Sequence, residues 1–417
     1  MFKLIINTIS SRAALAIVSF VVNSILITKT LSDAGRGETG LFTANMTFII
    51  HLCSFVGGSA LIYLVPKINS YKLIIPSYTW ALFATSFGVS GLVFFNELGA
   101  SSILNLWLIT LLNAWTSTNL LVLLGKEKIL HYNYLSLFQY VLIALSLCFY
   151  FYVLDSQSIT VYYYALYIAF GSTFLLSWFF LLRLPDKPTL RTLKKSFKAL
   201  IGYGSLAQGA NLIQFLNYRL SYYFIASESE LGIYSNAIAI SEAIWLVSRS
   251  LQTIQYAKIA NSDDTLFDVS ITLAFTKINV ILTIVAIGAL IVLPEHFFQL
   301  LFSKSHDILP SLLLTLSPGI LSIAITGTIV SYFSGNGRYG QPIIASSLGV
   351  VITFLGCYFL IPRYGLHGAA MTTSFSYALV LSYLFVKFIL ETKVKLTAFI
   401  PSRTDVDQLK SLIRTLK

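Results

Sequence analysis

The sequence predicts an all-α polytopic membrane protein of about twelve transmembrane helices, arranged as two six-helix lobes related by an axis along the membrane normal. Three observations predict this fold: the composition, a series of apolar stretches of membrane-spanning length, and an internal repeat. Of the 417 residues, 56% are hydrophobic and only 11% are charged, too few charges to cover the surface of a soluble protein. Most of the surface must therefore face lipid.

Twelve stretches are long and apolar enough to cross a bilayer, which requires about 20 largely apolar residues in a helix. They lie near residues 11–30, 40–64, 73–95, 102–124, 129–153, 162–183, 199–225, 232–256, 271–293, 310–333, 342–361 and 366–390. The first lacks a small-residue cleavage site, so we expect a permanent helix and not a removed signal peptide. Ser317-Pro318-Gly319 predicts a kink in the tenth, because proline removes a backbone hydrogen bond.

The positions of the 28 Lys and Arg residues predict the orientation of the chain. Most lie in the termini or in connections on the same side of the membrane as the N-terminus. Only Lys29, Arg36, Lys304 and Arg363 lie in connections on the opposite side. This bias is the positive-inside pattern, which places both termini in the cytoplasm. The net charge of +11 is thus explained by topology and membrane lipid, without a nucleic-acid partner.

An internal repeat divides the chain. Gly40-Leu41-Phe42-Thr43 precedes an apolar span that ends at Pro66–Ser70, and Gly232-Ile233-Tyr234-Ser235 precedes one that ends at Ala257–Ser262. Because each copy holds an even number of helices, both lobes enter from the cytoplasm, and such repeats enclose substrate sites near the bilayer midplane. The predicted parts are an N-terminal lobe (1–184), a basic cytoplasmic linker (185–198), a C-terminal lobe (199–390) and a basic cytoplasmic tail (391–417).

Two basic segments border the lobes. The linker serves as a topology signal or lies against anionic headgroups. In the tail, apolar residues recur at helical spacing from Leu409 to Leu416, as in an interfacial amphipathic helix; a solvated tail is the alternative.

Three charged residues lie well inside predicted spans: Arg219, Glu242 and Arg249. A charge at the bilayer centre costs about 2.5–3.5 kcal/mol on insertion scales, so these side chains should face protein or water. Polar residues share a stripe with them on the seventh and the eighth helix. We therefore expect one wall of an aqueous cavity here, with a thinner counterpart on the first two helices.

Arginine binds phosphate oxygens bidentately, so the cavity suits an anionic diphosphate, while its amide and phenol groups suit sugar hydroxyls. The candidate binding residues are Arg219, Arg249, Glu242, Asn211, Gln208, Tyr218, Tyr222, Trp245, Arg12, Asn23, Arg36 and His51. Arg12 is expected at the inner mouth and Arg36 at the outer mouth.

Other roles remain open for two of these residues. Glu242 could form a structural ion pair with Arg249 or Arg219, carry a coupling proton because burial raises a carboxyl pKa, or contact the substrate. His51, at mid-depth, fits a hydrogen-bonded packing residue better than a titrating one.

Three strings resemble a known family: Gly35 to Phe42, Leu231 to Ser235, and above all Ile361-Pro362-Arg363-Tyr364-Gly365-Leu366-His367-Gly368-Ala369-Ala370 followed by Ser374 to Tyr377. In order and spacing they resemble the polysaccharide transporter family of the multidrug/oligosaccharidyl-lipid/polysaccharide exporter superfamily, over nearly the whole chain.

The resemblance implies two six-helix lobes around a cationic cavity in a bacterial inner membrane. It also implies a flippase that moves an undecaprenyl-diphosphate-linked O-antigen or capsule repeat unit from the cytoplasmic to the periplasmic leaflet. Glycosyltransferases and a polysaccharide polymerase would then be its partners. No cofactor is expected, and coupling to protons, sodium or the membrane potential is left open.

Several other functions compete with this one. A multidrug cation exporter of the same superfamily would favour acidic residues in the first helix, which has none. A lipid II flippase usually has two further helices. A membrane polymerase or glycosyltransferase needs catalytic carboxylates in large loops, whereas the longest outer loop, Pro294 to Leu309, shows no metal-ligand spacing. Signatures of ATP hydrolysis are absent from the sequence.

Overall fold

The computed structural model describes residues 14–95, 100–186, 193–302 and 304–400, and within these ranges the chain forms helices and no strands. A lipid-facing backbone must satisfy its hydrogen bonds within each segment, which helices achieve. The α-helices are α1 (Ile27–Cys53), α2 (Gly58–Leu64), α3 (Ser70–Phe95), α4 (Ala100–Gly125), α5 (Ile129–Tyr152), α6 (Ile159–Leu182), α7 (Leu193–Arg219), α8 (Glu228–Ala260), α9 (Thr265–Val292), α10 (Glu295–Leu301), α11 (Leu309–Gly335) and α12 (Gly340–Thr392). A π-helical segment, Val21–Leu26, precedes α1.

Eight helical segments of the described chain are long and apolar enough to cross a membrane, and the chain is a multi-pass membrane protein. Two of the eight, Ala14–Leu64 and Gly340–Thr392, exceed 50 residues and contain at least one break each, so they have length for more than one crossing. Helices α7 and α8, which carry the predicted polar stripes, are not among these eight segments. The number twelve therefore stays a prediction.

The two breaks show how a connection between predicted spans can be very short. In α1 the helix is interrupted only at Ser32, with φ 66°, and residues 33–39, which separate the first two predicted spans, are helical. In α12 the interruption is Gly365, with φ 54°, a conformation that glycine adopts without a steric penalty.

Other boundaries differ from the sequence-based prediction. Helix α7 begins at Leu193, so the last residues of the predicted linker are helical, and residues 187–192 lie outside the described ranges. Residues 401–417, with the predicted tail helix, also lie outside them. Pro318 falls inside α11, and the described backbone continues as a helix on both sides of it.

The chain forms two compact units. Unit 1 extends to Phe215 and includes Ser227–Gly232; unit 2 comprises Leu216–Ala226 and the chain from Ile233 onward. The division falls inside α7, and the predicted lobe boundary at 185–198 stays a prediction.

The core of unit 1 is built from apolar faces of α1, α3, α4, α5 and α6, with fully buried Ile49, Ile109 and Leu147 among its members. A very close backbone crossing is also present: a Cβ on Gly37 would collide with the carbonyl of Glu228, and one on Gly232 with the carbonyl of Asp33. Only glycine permits this approach. The residues just before the first repeat copy therefore touch Gly232, the first residue of the second.

Two buried side chains of unit 2 link its helices by hydrogen bonds. The Tyr234 hydroxyl lies 2.8 Å from Thr373 Oγ1, and it joins the second repeat copy to α12. The Asn217 Oδ1 accepts from Thr353 Oγ1 at 2.7 Å and from Ser376 Oγ at 2.6 Å, which links the end of α7 to both halves of α12.

Hydroxyl groups within the helices are commonly satisfied by their own helix. Thr47 Oγ1 donates to the carbonyl of Thr43 at 2.7 Å, and Thr118 Oγ1 donates to the carbonyl of Ala114 at 2.9 Å. This four-residue back-bonding lets threonine and serine lie in an apolar span without a partner from another helix.

Candidate functional site

The candidate site in unit 2 begins with an ion pair between two helices. Arg219 is the last residue of α7, and its Nη2 lies 2.6 Å from Glu242 Oε1 on α8. Their side chains are 23% and 33% exposed, so both remain accessible. Of the two pairings that the sequence left open for Glu242, the structure contains the one with Arg219.

Aromatic rings surround this ion pair. The Tyr218 ring centroid lies 5.1 Å from that of Trp245 and 5.6 Å from that of Tyr377. The Arg219 guanidinium carbon lies 5.2 Å from the centre of the Tyr222 ring. Such contacts favour a positive charge over an aromatic face, and they hold the guanidinium group in place.

Beside the ion pair lies a small cleft, with room for about one water molecule. It is lined by Ile238, Ser241, Glu242, Trp245, Leu316, Ile320, Ile323, Thr373 and Tyr377. Its walls are apolar and aromatic, with a few polar groups, the lining that small-molecule sites share. Here the polar groups are one carboxylate and two hydroxyls, together with the tyrosine phenol.

The two arginines of the predicted cavity lie in different environments. Arg249 is exposed, and its guanidinium carbon lies 4.8 Å from the centre of the Trp245 ring. Arg219 uses Nη2 for Glu242, while its Nη1 is buried and has no hydrogen-bond partner among the described residues. A buried donor without a partner is costly, so an acceptor from a ligand or from water would stabilise it.

The predicted stripe on the seventh helix is divided between the two units. Gln208 and Asn211 belong to unit 1; Gln208 is buried and Asn211 is exposed, and Asn211 Nδ2 donates to Gln208 Oε1 at 3.4 Å. Tyr222 follows the end of α7, in a 3-10 segment, so it does not continue the α-helical stripe. Tyr218, Arg219 and Tyr222 belong to unit 2.

The remaining predicted residues lie in unit 1 or outside the described chain. His51 is half-buried and its ring centroid is 5.3 Å from that of Phe215. Asn23 Nδ2 donates to Ser19 Oγ at 3.1 Å. Arg36 is 7% exposed and helical, so it is buried and does not lie in an open loop. Arg12 lies outside the described residues.

The structure adds residues that the sequence argument missed. Tyr377 of α12 completes the aromatic surroundings of Trp245; it lies in the string that carried the family resemblance. Asp268 and Lys277 of α9 are both buried. Lys277 falls inside the predicted ninth span, so a search of every span for charges would have found it.

No group of three His, Cys, Asp or Glu suited to a metal ion occurs within the described ranges. In the outer segment predicted at Pro294 to Leu309, His306 is fully buried, with its Nε2 3.0 Å from Asn236 Nδ2. Its surroundings are those of a packed side chain.

No protein-family model and no curated protein matches the chain, but several solved structures share its fold. An inward-facing multidrug resistance MATE family transporter of the MOP superfamily has a TM-score of 0.69 at 12% identity, covering 91% of this chain and 93% of that chain. The lipid II flippase MurJ in an inward closed conformation has a TM-score of 0.69 at 14% identity, covering 96% and 89%. A variant of the Vibrio cholerae MATE transporter VcmN has a TM-score of 0.62 at 14% identity, covering 96% and 98%.

Proposed function

We propose that this chain is a flippase of the bacterial inner membrane, which moves an undecaprenyl-diphosphate-linked oligosaccharide from the cytoplasmic to the periplasmic leaflet by alternating access. The observation that carries the proposal is the Arg219 guanidinium group, next to an aromatic cleft. Glu242 holds one of its nitrogens, and the other has no hydrogen-bond partner among the residues that the structure describes. Glycosyltransferases and a polymerase would supply and consume the cargo.

The chemistry of the site suits a glycolipid headgroup. Arg219 Nη1, which is buried and has no partner in the described part of the chain, would donate to a phosphate oxygen once the site opens, and charge-assisted bonds of this kind are strong in a partly buried site. The rings of Trp245 and Tyr377 offer flat apolar faces to a sugar, while Ser241 and Thr373 offer hydroxyls. Because Glu242 offsets the charge of Arg219, the exposed Arg249 would supply the remaining attraction for a diphosphate.

The fold supports a transporter, and it does not select the cargo. The chain shares the fold of a lipid II flippase and of multidrug transporters at similar TM-scores. The cargo is inferred from the arginine and aromatic side chains of unit 2, which suit a lipid-linked oligosaccharide, and the fold is that of a transporter.

A second candidate function, export of organic cations, is favoured by one observation. Glu242 lies in the same cleft as Trp245 and Tyr377, and a carboxylate beside aromatic faces is a suitable site for an organic ammonium ion. In that case Arg219 would act as a counter-ion that a cationic substrate displaces from Glu242.

The test compares charge removal with charge exchange in bacterial cells that lack their own copy of the gene. We expect Arg219→Ala and Arg249→Ala to abolish or sharply reduce surface polysaccharide at unchanged protein abundance. Exchanging the pair, Arg219→Glu with Glu242→Arg, restores the ion pair but moves the guanidinium group, so abundance should recover and export should not. Lys195→Ala, which removes an exposed cation from α7, is the matched control.

The outcomes separate the alternatives. Full export in the exchanged variant would show that the ion pair is only structural. Normal polysaccharide in both alanine variants, together with a lost resistance to organic cations such as ethidium in Glu242→Gln, would favour the exporter.

A further inference from the structure

Three exposed side chains of unit 1 form a cluster that the proposed cargo site does not use. Lys67 Nζ lies 3.4 Å from the centre of the Tyr63 ring, and the Tyr63 ring centroid lies 4.9 Å from that of Tyr203. All three residues belong to unit 1, and the two tyrosines are 48% and 58% exposed. A cation and two aromatic rings are therefore in direct contact at the surface.

The packing of α2 determines that this cluster faces outward. Its side chains Ala60, Leu61 and Leu64 are buried in a core of apolar residues, whereas Tyr63 lies on the exposed face. After α2 the chain makes a turn in which the Lys67 N–H donates to the carbonyl of Leu64 at 2.9 Å. This turn places the Lys67 ammonium group over the Tyr63 ring.

Helix α7 brings the second ring to the first. Gly204 follows Tyr203, and a Cβ at Gly204 would lie 3.1 Å from the Phe55 carbonyl oxygen, just before α2. The absence of a side chain at this point lets α7 approach the backbone of the neighbouring segment. The contact between the two tyrosines thus depends on packing between helices and not on local sequence.

The cluster lies where apolar spans meet a connection. Tyr63 is near the end of the predicted span 40–64, and Tyr203 is near the start of the span 199–225. Lys67 follows in a connection that the positive-inside pattern predicts to be cytoplasmic. The phosphate groups of a membrane lipid lie at this depth, just outside the hydrocarbon layer.

The charge of Lys67 is available to a ligand. Lys67 forms no ion pair within the part of the chain that the structure describes, in contrast to Lys126, which pairs with Asp186. An ammonium group over an aromatic face is held there by the electrons of the ring. Its N–H groups can still donate to an anion, and lysine is a common ligand of phosphate.

Tyrosines are frequent at the boundary of a membrane without any ligand, but this pair has a further property. Two helices contribute one ring each, and a cation lies on one of the rings. An aromatic face packs against the C–H groups of a sugar ring, while the cation binds the phosphate beside it. The combination matches a sugar that is joined to a lipid through phosphate.

We propose that Lys67, Tyr63 and Tyr203 form a loading site, which binds the diphosphate and the first sugar of the cargo in the cytoplasmic leaflet before transport. The loading site rests on the proposed function, because it takes the same cargo, but it uses none of the residues around Arg219. An exposed charge acts mainly on the rate of association. The site therefore suits capture of the cargo.

The binding test uses a variant in which Arg219→Ala and Arg249→Ala remove the guanidinium groups of the site in unit 2. The purified full chain in detergent is titrated with tritiated farnesyl diphosphate, a short polyprenyl diphosphate, and the bound label is measured by scintillation proximity. We expect binding to remain in this variant. Adding Lys67→Gln should weaken the binding about tenfold or more, because a charge-assisted hydrogen bond is lost.

Two further substitutions of lysine serve as controls for the binding test. Lys67→Arg keeps the positive charge and should retain most of the binding. Lys128→Gln removes an exposed cation from the connection between α4 and α5, and it should leave the binding unchanged.

The tyrosines are tested by export in cells in which an upstream glycosyltransferase is under inducible control. Tyr63→Ala and Tyr203→Ala should reduce surface polysaccharide when cargo synthesis is limited, and export should recover when cargo is abundant, because a loading site changes the apparent affinity and not the maximal rate. Arg219→Ala should not recover. Tyr134→Ala, which removes a side chain that is also 58% exposed, is the matched control.

The outcomes separate the loading site from the proposed function. Absence of binding in the Arg219→Ala, Arg249→Ala variant, or equal binding after Lys67→Gln is added, would overturn the loading site and leave the proposed function intact. Displacement of the label by an equal concentration of inorganic diphosphate would assign Lys67 to a free anion, and displacement by phosphatidylglycerol would assign it to membrane lipid; either result contradicts the proposal. If a tyrosine variant is not produced, the binding to Lys67→Gln decides.

Discussion

Asp186 shows how a single side chain holds the start of the linker against unit 1. Its carboxylate lies 2.9 Å from Lys126 Nζ and accepts from the backbone N–H of Ser70 at 3.1 Å. Burial raises the pKa of Asp186, but the hydrogen bonds from Lys126 and Ser70 and the charge of Lys126 outweigh burial and hold the pKa below its ordinary value. The ionised form of Asp186 therefore stabilises the fold.

We predict that Asp186→Asn lowers the free energy of unfolding by about 1 kcal/mol at neutral pH, the scale of a partly buried ion pair. A carboxylate with a depressed pKa stabilises the protein above its unfolded-state pKa and loses this effect as pH falls through the folded-state pKa. The difference between the natural chain and the variant should persist down to about pH 4 and shrink below it.

Thermal unfolding in detergent across this pH range measures the difference. Asp263→Asn, at an exposed position, should show no such pH-dependent gap. A gap for Asp186→Asn that is constant down to about pH 3 would contradict the role of its charge.

Among the elements, the crossing of α1 with the start of α8 depends on two glycines. At Gly37 and Gly232 the backbone of one helix touches a carbonyl of the other, as in the small-residue contacts between membrane helices. A Cβ at either glycine would meet backbone atoms of the other helix. Backbone atoms, unlike side-chain atoms, cannot move away by a change of rotamer.

We predict that Gly232→Ala destabilises this crossing by about 1–3 kcal/mol, the usual cost of inserting a methyl group into a packed contact. The measurement is the midpoint of thermal unfolding. Gly202→Ala in α7, where a Cβ meets nothing within 4 Å, is the matched control. An unchanged midpoint in Gly232→Ala would show that the two helices separate at little cost.

Helix boundaries were predictable to different degrees. Helices α3 to α6 begin and end within a few residues of the predicted spans, because their apolar stretches are bounded by polar connections. The connection after the first span was not predictable in this way. The break there is a single residue, Ser32, with helix on both sides, and one residue does not change the hydropathy of the stretch.

For the whole molecule, the membrane is the dominant solvent. Large apolar side chains are exposed along the spans, such as Phe87 at 77% and Phe94 at 84% on α3, and in water they would be strongly unfavourable. The distribution of Lys and Arg then predicts which connections lie in the cytoplasm.

We predict that Lys128, between α4 and α5, lies in the cytoplasm and that Asp155, between α5 and α6, lies in the periplasm. Both are exposed. In a variant in which the three native cysteines are replaced by alanine, Asp155→Cys should react with a membrane-impermeant maleimide in intact spheroplasts. Lys128→Cys should react only after the membrane is opened. The reverse pattern would invert the topology.

The sequence alone determined that the chain crosses a membrane many times as helices, because hydropathy is a local property and the bilayer accepts few other structures. It also singled out Arg219, Arg249 and Glu242 as charged residues of the predicted seventh and eighth spans. Only the tertiary structure decided that Glu242 pairs with Arg219 and not with Arg249, that Tyr377 completes the site, and that Asp268 is buried on α9. These depend on which helix faces meet, and residues far apart in sequence meet through side-chain packing that no local pattern encodes.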